Sequence, residues 1–235
     1  MKMRRLADIF HVDIAALNSM WIISGKTERD REKLADIVDD VRKDTEIHSA
    51  VAIADMYDHE LVVFMIGPGS MQGIRSLTDA IRYELSSHGI NATVTKGHAL
   101  NTTTRVREAF LTHQAGLGCA MKIFPGRQVF TMEQIRFAQQ CQETIGRGER
   151  AVEEAMCCLG NLKTHEEEGH LLSTLEVFLL DADMSVKQTS DMMFLHKNTI
   201  KYRMQRIADQ LGFVPGSFPE TLPILTACAL NRLLR

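Results

Sequence analysis

SVKQTSDMMFLHKNTIKYRMQRI, residues 185–207, decides how this chain is read. Its second half, HKNTIKYRMQRI (196–207), carries Lys197, Lys201, Arg203 and Arg206 and no acid, in a protein of formal charge −3. Ile200, Met204, Ile207 and Leu211 recur at i, i+4, i+7 and i+11, the spacing of one helix face. Upstream, Ser185 stands where an N-cap belongs, ahead of Val186, Ser190 and Met193 on the inner side of a short first helix. Ser190 is small where two helices must cross closely. Leu195 supplies an apolar plug for the turn, and His196 or Asn198 caps the second helix. A short helix, a tight turn and a cationic second helix describe a helix-turn-helix, whose second helix enters the DNA major groove with its N-terminal residues at base edges.

On that geometry Lys197, Asn198, Lys201, Tyr202 and Gln205 face away from the core. Asparagine pairs bidentately with adenine, and lysine reaches guanine O6 and N7. Thr199, Arg203 and Arg206 flank the core side, where phosphates run and contacts fix register without carrying sequence. A few phosphate contacts give such a helix its affinity while the rest of an acidic surface stays indifferent to DNA. A solvated amphipathic helix has the same charge pattern. The helix and turn ahead of it argue for the DNA reading.

The whole chain sets the frame. At 235 residues it can form one or two domains with a sizeable core. Its longest apolar run, LVVFMIG (61–67), is strand length, far from the eighteen or more residues of a membrane span. The start, MKMRRLADIF, has basic residues but no apolar stretch with a small-residue cleavage site, so no signal peptide is expected. Cys119, Cys141, Cys157, Cys158 and Cys228 form no CxxC pair, and an odd number does not suit a disulfide framework. They read as buried, reduced thiols of a cytoplasmic protein.

Residues 1–147 alternate in character and predict an α+β domain of three or four strands with helices on one face. TERDREKLADIVDDVRKDTE (27–46) is helical in spacing, and AVAIAD (50–55) and LVVFMI (61–66) make a hairpin whose turn, MYDHE, is not the tight Asn-Gly or Asp-Gly kind. SLTDAIRYELSSHG (76–89) reads as a helix capped by Ser76 and stopped by Gly89, INATVTKG (90–97) as a strand, and 102–118 as a helix. Residues 148–235 show helical spacing alone and predict an all-α domain, with VPGSFPETLP (214–223) a connection.

TLEVFLLDADMSVKQTSDMMFLHKNTIKYRMQRIADQLG (174–212) resembles the C-terminal helix-turn-helix of the PucR family of bacterial transcription regulators. The matching elements are Thr174 and Leu175, Thr189 and Ser190, then His196, Lys197, Asn198, Thr199, Tyr202, Arg203, Arg206 and Ile207. LPILTACALNRLLR (222–235) resembles the family's closing segment. Ser190 stands where Ala is usual and Met193 where Leu is usual. The resemblance adds His196 to the DNA-binding set and implies a double-stranded operator as partner. Residues 14–118 are similar, more weakly, to the degenerate GGDEF-like domain that many family members carry. MYDHE there lacks the Gly-Gly that admits a nucleotide phosphate, and Asp55, Asp58 and Glu60 read as ordinary turn acids. Too few residues precede Ile14 for the family's separate effector-sensing domain, so the chain reads as a short member or a C-terminal piece of a longer regulator.

Other patterns carry less. His165 and His170 of HEEEGH are five apart, which turns them about 140° from each other on a helix and spoils the i, i+4 pairing of a zinc protease. GPGSMQG (67–73) lacks the GK[ST] of a P-loop. Trp21 and the phenylalanines read as core. The expectation is a non-catalytic, sequence-specific DNA-binding regulator, homodimeric because such heads bind two half-sites, with no metal or cofactor, no membrane, and a small-molecule effector that the sequence does not identify. The rival reading is a nucleotide-binding receptor or degenerate cyclase domain with a protein-binding helical arm.

Overall fold

The computed structural model describes residues 18–48, 52–67, 70–98, 103–163 and 169–235. The N-terminal segment, the middle of GPGSMQG and His165 of HEEEGH lie outside them. The architecture is an α+β region followed by an all-helical region that contains the helix-turn-helix. The chain divides into two compact units, residues 1–115 with 127–135 and residues 116–126 with 136–235.

The first unit is built on β1 (Ser19–Gly25), every residue of which is buried. Among the described residues it pairs with β3 (Glu60–Met65) and β4 (Ala92–His98), and the sheet runs β2-β3-β1-β4-β5, with β2 Ala52–Tyr57 and β5 Val129–Thr131. All neighbours are antiparallel except β4 and β5. The first four strands, with helices between β1 and β2 and between β3 and β4, follow the split β-α-β order. Five strands replace the three or four expected, because β5 is only three residues long and gives no local alternation.

A buried β1 needs cover on both sides. Trp21 and Ile23 share one face with Leu61, Val63, Met65 and Val94. This face packs against Leu34 of α1 (Glu28–Leu34), Ile37 of the tight turn after it, Val41 of α2 (Val38–His48), and Leu77, Ile81 and Leu85 of α3 (Met71–Ser87). Thr27 and Asp30 form a capping box at the start of α1. The opposite face meets α4 (Thr103–Ile123): Phe110 stands edge-on to Tyr57 at 4.9 Å, and His113 hydrogen-bonds Ser24 and Thr95. Helices therefore cover both faces of the sheet, not one.

Two local expectations also change. The helix expected over 76–89 begins at Met71, capped by Ser70, whose Oγ accepts from Gly73 N at 3.1 Å; Gly89, at φ +61°, follows its end as expected. The hairpin turn is tight after all. Tyr57 pairs with Glu60, and Asp58 and His59 take left-handed φ values of 49° and 66°, the pattern of a two-residue type I′ turn. Asp and His are among the side chains that tolerate this region. Asp58 accepts from Gln114 at 2.6 Å, Asp55 accepts from the backbone N–H of Met56, and Glu60 lies toward Ser24, so the three acids do not converge.

The second unit contains α5 (Met132–Gly146) from Arg136 on, α6 (Glu149–Met156), a tight helical segment Cys157–Lys163, α7 (Gly169–Glu176), a π-helical turn Val177–Asp181, α8 (Val186–Met193), α9 (Lys197–Leu211) and α10 (Thr221–Leu233). α10 buries Ile224, Ala227, Cys228, Ala229 and Leu230 and packs on α6 and α7. All five cysteines are free; Cys141 and Cys228 are buried, but Cys157 is exposed, against the expectation for it. Phe194 and Phe218 are likewise exposed rather than core. Among the described residues no helix is long and apolar enough to cross a membrane.

Candidate nucleic-acid interface

Short helices fix the interface by their ends. Ser185 caps α8, its Oγ accepting from Gln188 N at 3.3 Å. The buried residue of α8 is Thr189, whose hydroxyl donates to Ser185 O at 2.8 Å. Val186, Ser190, Met193 and Leu195, expected as core, are half-buried. Ser190 does more than make room: its Oγ donates to Leu195 O at 2.6 Å, while Leu195 N donates to Ser190 O at 3.1 Å. This pair closes the turn. Phe194 between them ends α8 at φ 54°, ψ 38°.

α9 is capped by His196, not Asn198. Its Nδ1 accepts from Asn198 N at 3.2 Å, which leaves the ring proton on Nε2 and the Asn198 amide group exposed. On the inner side of α9 Ile200 and Ile207 are fully buried, and Met204 and Leu211 half-buried. His196, Lys197, Asn198, Thr199, Lys201, Tyr202, Gln205 and Arg206 are all exposed. The helix N-terminus adds its own partial positive charge beside Lys197.

Arg203 stands apart from this set. It is half-buried and its Nη1 donates to Thr174 Oγ1 at 3.1 Å, while the Thr174 hydroxyl donates to His170 O at 2.6 Å. The guanidinium thus ties α9 to α7, although four more N–H donors remain on it. Gln205 donates to Asp209 at 2.9 Å. Asp209, exposed on the same side two turns beyond Lys201, ends the cationic stretch, so favourable contact with phosphate is confined to residues 197–206 of α9.

A charged clamp holds the scaffold under these helices. Arg232 of α10 grips both carboxylate oxygens of Asp181, with Nη1 at 2.9 Å from Oδ1, and the same nitrogen donates to Ile123 O at 2.6 Å. Glu176, at 3% exposure, accepts from Asn231 at 2.6 Å and from Arg235 at 3.2 Å. Burial weakens the charged form of Arg232, but its bonds to Asp181 and the nearby Glu176 outweigh that and raise its pKa. Asp209 is absent from the sequence reading, Thr189 entered it only as a match to the family, and Phe194 only among the phenylalanines expected in the core. A buried threonine and an acid at the end of the helix break the simple pattern, and nothing local distinguishes Phe194 from a core aromatic.

Residues 171–230 match the model of the PucR C-terminal helix-turn-helix domain. Over 85 residues the chain is 32% identical to the carbohydrate diacid regulator of Escherichia coli strain K12, a match that covers 36% of this chain and 22% of that protein. The chain therefore spans about a fifth of that relative's length. It is similar at 15% identity to a regulator of polyketide synthase expression from Bifidobacterium adolescentis, covering 93% of this chain and 81% of that one with a TM-score of 0.34. The sequence resemblance, the capped helix pair and the family match agree: residues 171–230 are a PucR-type C-terminal helix-turn-helix domain.

Proposed function

We propose that this protein is a sequence-specific transcription regulator that binds its operator through residues 197–206 of α9. One observation carries the reading: Lys197, Asn198, Lys201, Tyr202 and Arg206 are exposed together on a helix whose other side is fixed by Ile200, Ile207 and the Arg203–Thr174 bond. Lys197, Lys201 and Arg206 meet phosphates or guanine edges, Asn198 reads adenine, and Thr199, Tyr202, Gln205 and His196 complete the surface. Residues 148–235 act as the DNA-binding domain and 1–147, degenerate and GGDEF-like, as a dimerisation and signalling domain. The strand–helix–hairpin–helix–strand order supports that second assignment. The protein works in the cytoplasm as a homodimer, without catalysis, and answers a small-molecule effector. By analogy with a relative named for carbohydrate diacids, its target is a catabolic or secondary-metabolism operon.

Selection of bound duplexes from a random pool at about 150 mM salt, where the Debye length is near 8 Å, tests this. A two-fold motif is expected. Removing Lys197, Lys201 or Arg206 weakens binding on all sequences and lowers the salt slope by about 1 each. Asn198→Ala relaxes one base position by about 1–3 kcal/mol. A folded protein that enriches no motif sinks the reading.

A further inference from the structure

Phe194 has no place in the fold's interior and an awkward place in its backbone. It is 94% exposed, the highest value among the large hydrophobic side chains of the described residues. It also sits in the left-handed region, at φ 54° and ψ 38°, where a side chain with a Cβ is strained and glycine is the usual occupant. Its main chain is nevertheless held on both sides. Phe194 N donates to Asp191 O at 3.4 Å, and the next residue is locked by the two Ser190–Leu195 bonds of 2.6 and 3.1 Å. The ring is therefore carried on a fixed turn, two residues ahead of the His196 cap, at the end of α9 that carries Lys197, Asn198 and Lys201. An exposed phenyl ring helps neither the stability of the turn nor its solubility.

We infer that Phe194 is an apolar base contact: its ring packs against the C5-methyl of a thymine at the edge of each half-site. This rests on the DNA-binding reading above. The argument is one of continuity and chemistry. The cap end of α9 enters the groove first, and the preceding turn lies at the groove's rim. Thymine offers there the one apolar group on a base edge, and phenylalanine is among the side chains that meet it. The neighbouring cations bring phosphate backbone to the same end of the helix, so the ring is brought to a base pair rather than left in water. Arg206 and Lys201 contribute affinity; Phe194 contributes a preference for T.

The test couples two changes. The wild type first selects its motif from a random duplex pool. The preferred duplex is then remade with each thymine in turn replaced by deoxyuridine, which removes the methyl and keeps the pairing. The protein is changed by Phe194→Gly, which suits the left-handed turn, so its Tm is expected to stay level or rise. Each change alone is expected to weaken binding roughly tenfold at one thymine, and the two together no further, because both delete the same contact. The variant is also expected to lose its preference for T at that position in a repeat selection. Equal binding by Phe194→Gly and wild type overturns the inference, as does weakening that is the same on thymine and deoxyuridine duplexes, which would put the ring on sugar and phosphate. Failure of the wild type itself to enrich any motif overturns the regulator reading instead, and this inference with it.

Discussion

Each unit buries a polar cluster, and the two clusters are built in opposite ways. In the sheet unit Ser24 Oγ, His113 and Thr95 Oγ1 form a chain of bonds at 2.9 and 3.0 Å beneath α4, with His113 fully buried and its pKa lowered by burial to about 4. That interior is built from neutral partners, and Glu60 beside it is pushed toward its own neutral form by burial. In the helical unit the cluster is an ion-pair network: half-buried Arg232 grips half-buried Asp181 bidentately, beside buried Glu176. A neutral chain fails when pH forces charge onto it. A charged clamp fails when one partner is removed. Trp21, the single tryptophan and fully buried in the sheet, lets fluorescence report the first unit, while the far-UV signal comes from the helices of both units.

The largest expected effect comes from Arg232→Met. It strands Asp181 without its cation, leaves Glu176 with Arg235 alone, and removes the donor to Ile123 O, for a loss of about 3–5 kcal/mol. Urea unfolding followed by circular dichroism measures it. A loss under about 1 kcal/mol would mean the clamp is solvated, and the contrast between the units would collapse.

Acid should strike the other unit. The folded pKa of His113, about 4, lies below the value of about 6.5 in an unfolded chain. Above pH 7 both states are neutral there. As pH falls from about 6.5 to 4 only the unfolded chain takes the proton, so stability drops by about 3 kcal/mol and then levels. Glu60, raised by burial, works with the opposite sign over part of the same range. The urea midpoint read from Trp21 at pH 7 and at pH 4 should separate strongly in wild type and much less in His113→Gln. Parallel pH profiles would remove His113 as the cause.

These contrasts also explain what could be read in advance. The inner side of α9 was legible because Ile200, Met204 and Ile207 repeat within three turns, and the capping serine and the turn lie just upstream. Covering the sheet on both faces was not, because it depends on His113 meeting residues 89 and 18 positions away. β5 is three residues whose strand character comes from pairing with β4, not from its own pattern. Arg203 shows the same limit on the candidate site: helical period puts it on a flank, but its tie to Thr174 spans 29 positions. Phe194 follows from the turn's left-handed residue, which falls on no glycine that would mark it.

Thr174→Val tests that tie at a smaller scale. The change keeps the shape of a fully buried side chain and deletes the acceptor for Arg203 and the donor to His170 O. A loss of about 1–2 kcal/mol is expected in the helical transition, with Trp21 unaffected. Because α9 is set by this bond, affinity for the selected duplex should fall while the preferred sequence stays the same. A change in sequence preference would mean that Arg203 reads bases through its other donors.

His59→Gly should give the smallest effect, and a gain. Asp58 and His59 both hold positive φ, and the second position of such a turn is where glycine is favoured. Glycine there removes Cβ strain but widens the unfolded ensemble, so the net gain is about 0.5–1 kcal/mol rather than the full cost of a left-handed residue. Asp58 must stay, since it accepts the bond from Gln114 that joins the hairpin to α4. The gain should appear in the Trp21 transition and leave both the helical transition and DNA binding unchanged. A loss of stability would show that the imidazole of His59, not only its backbone, holds the hairpin.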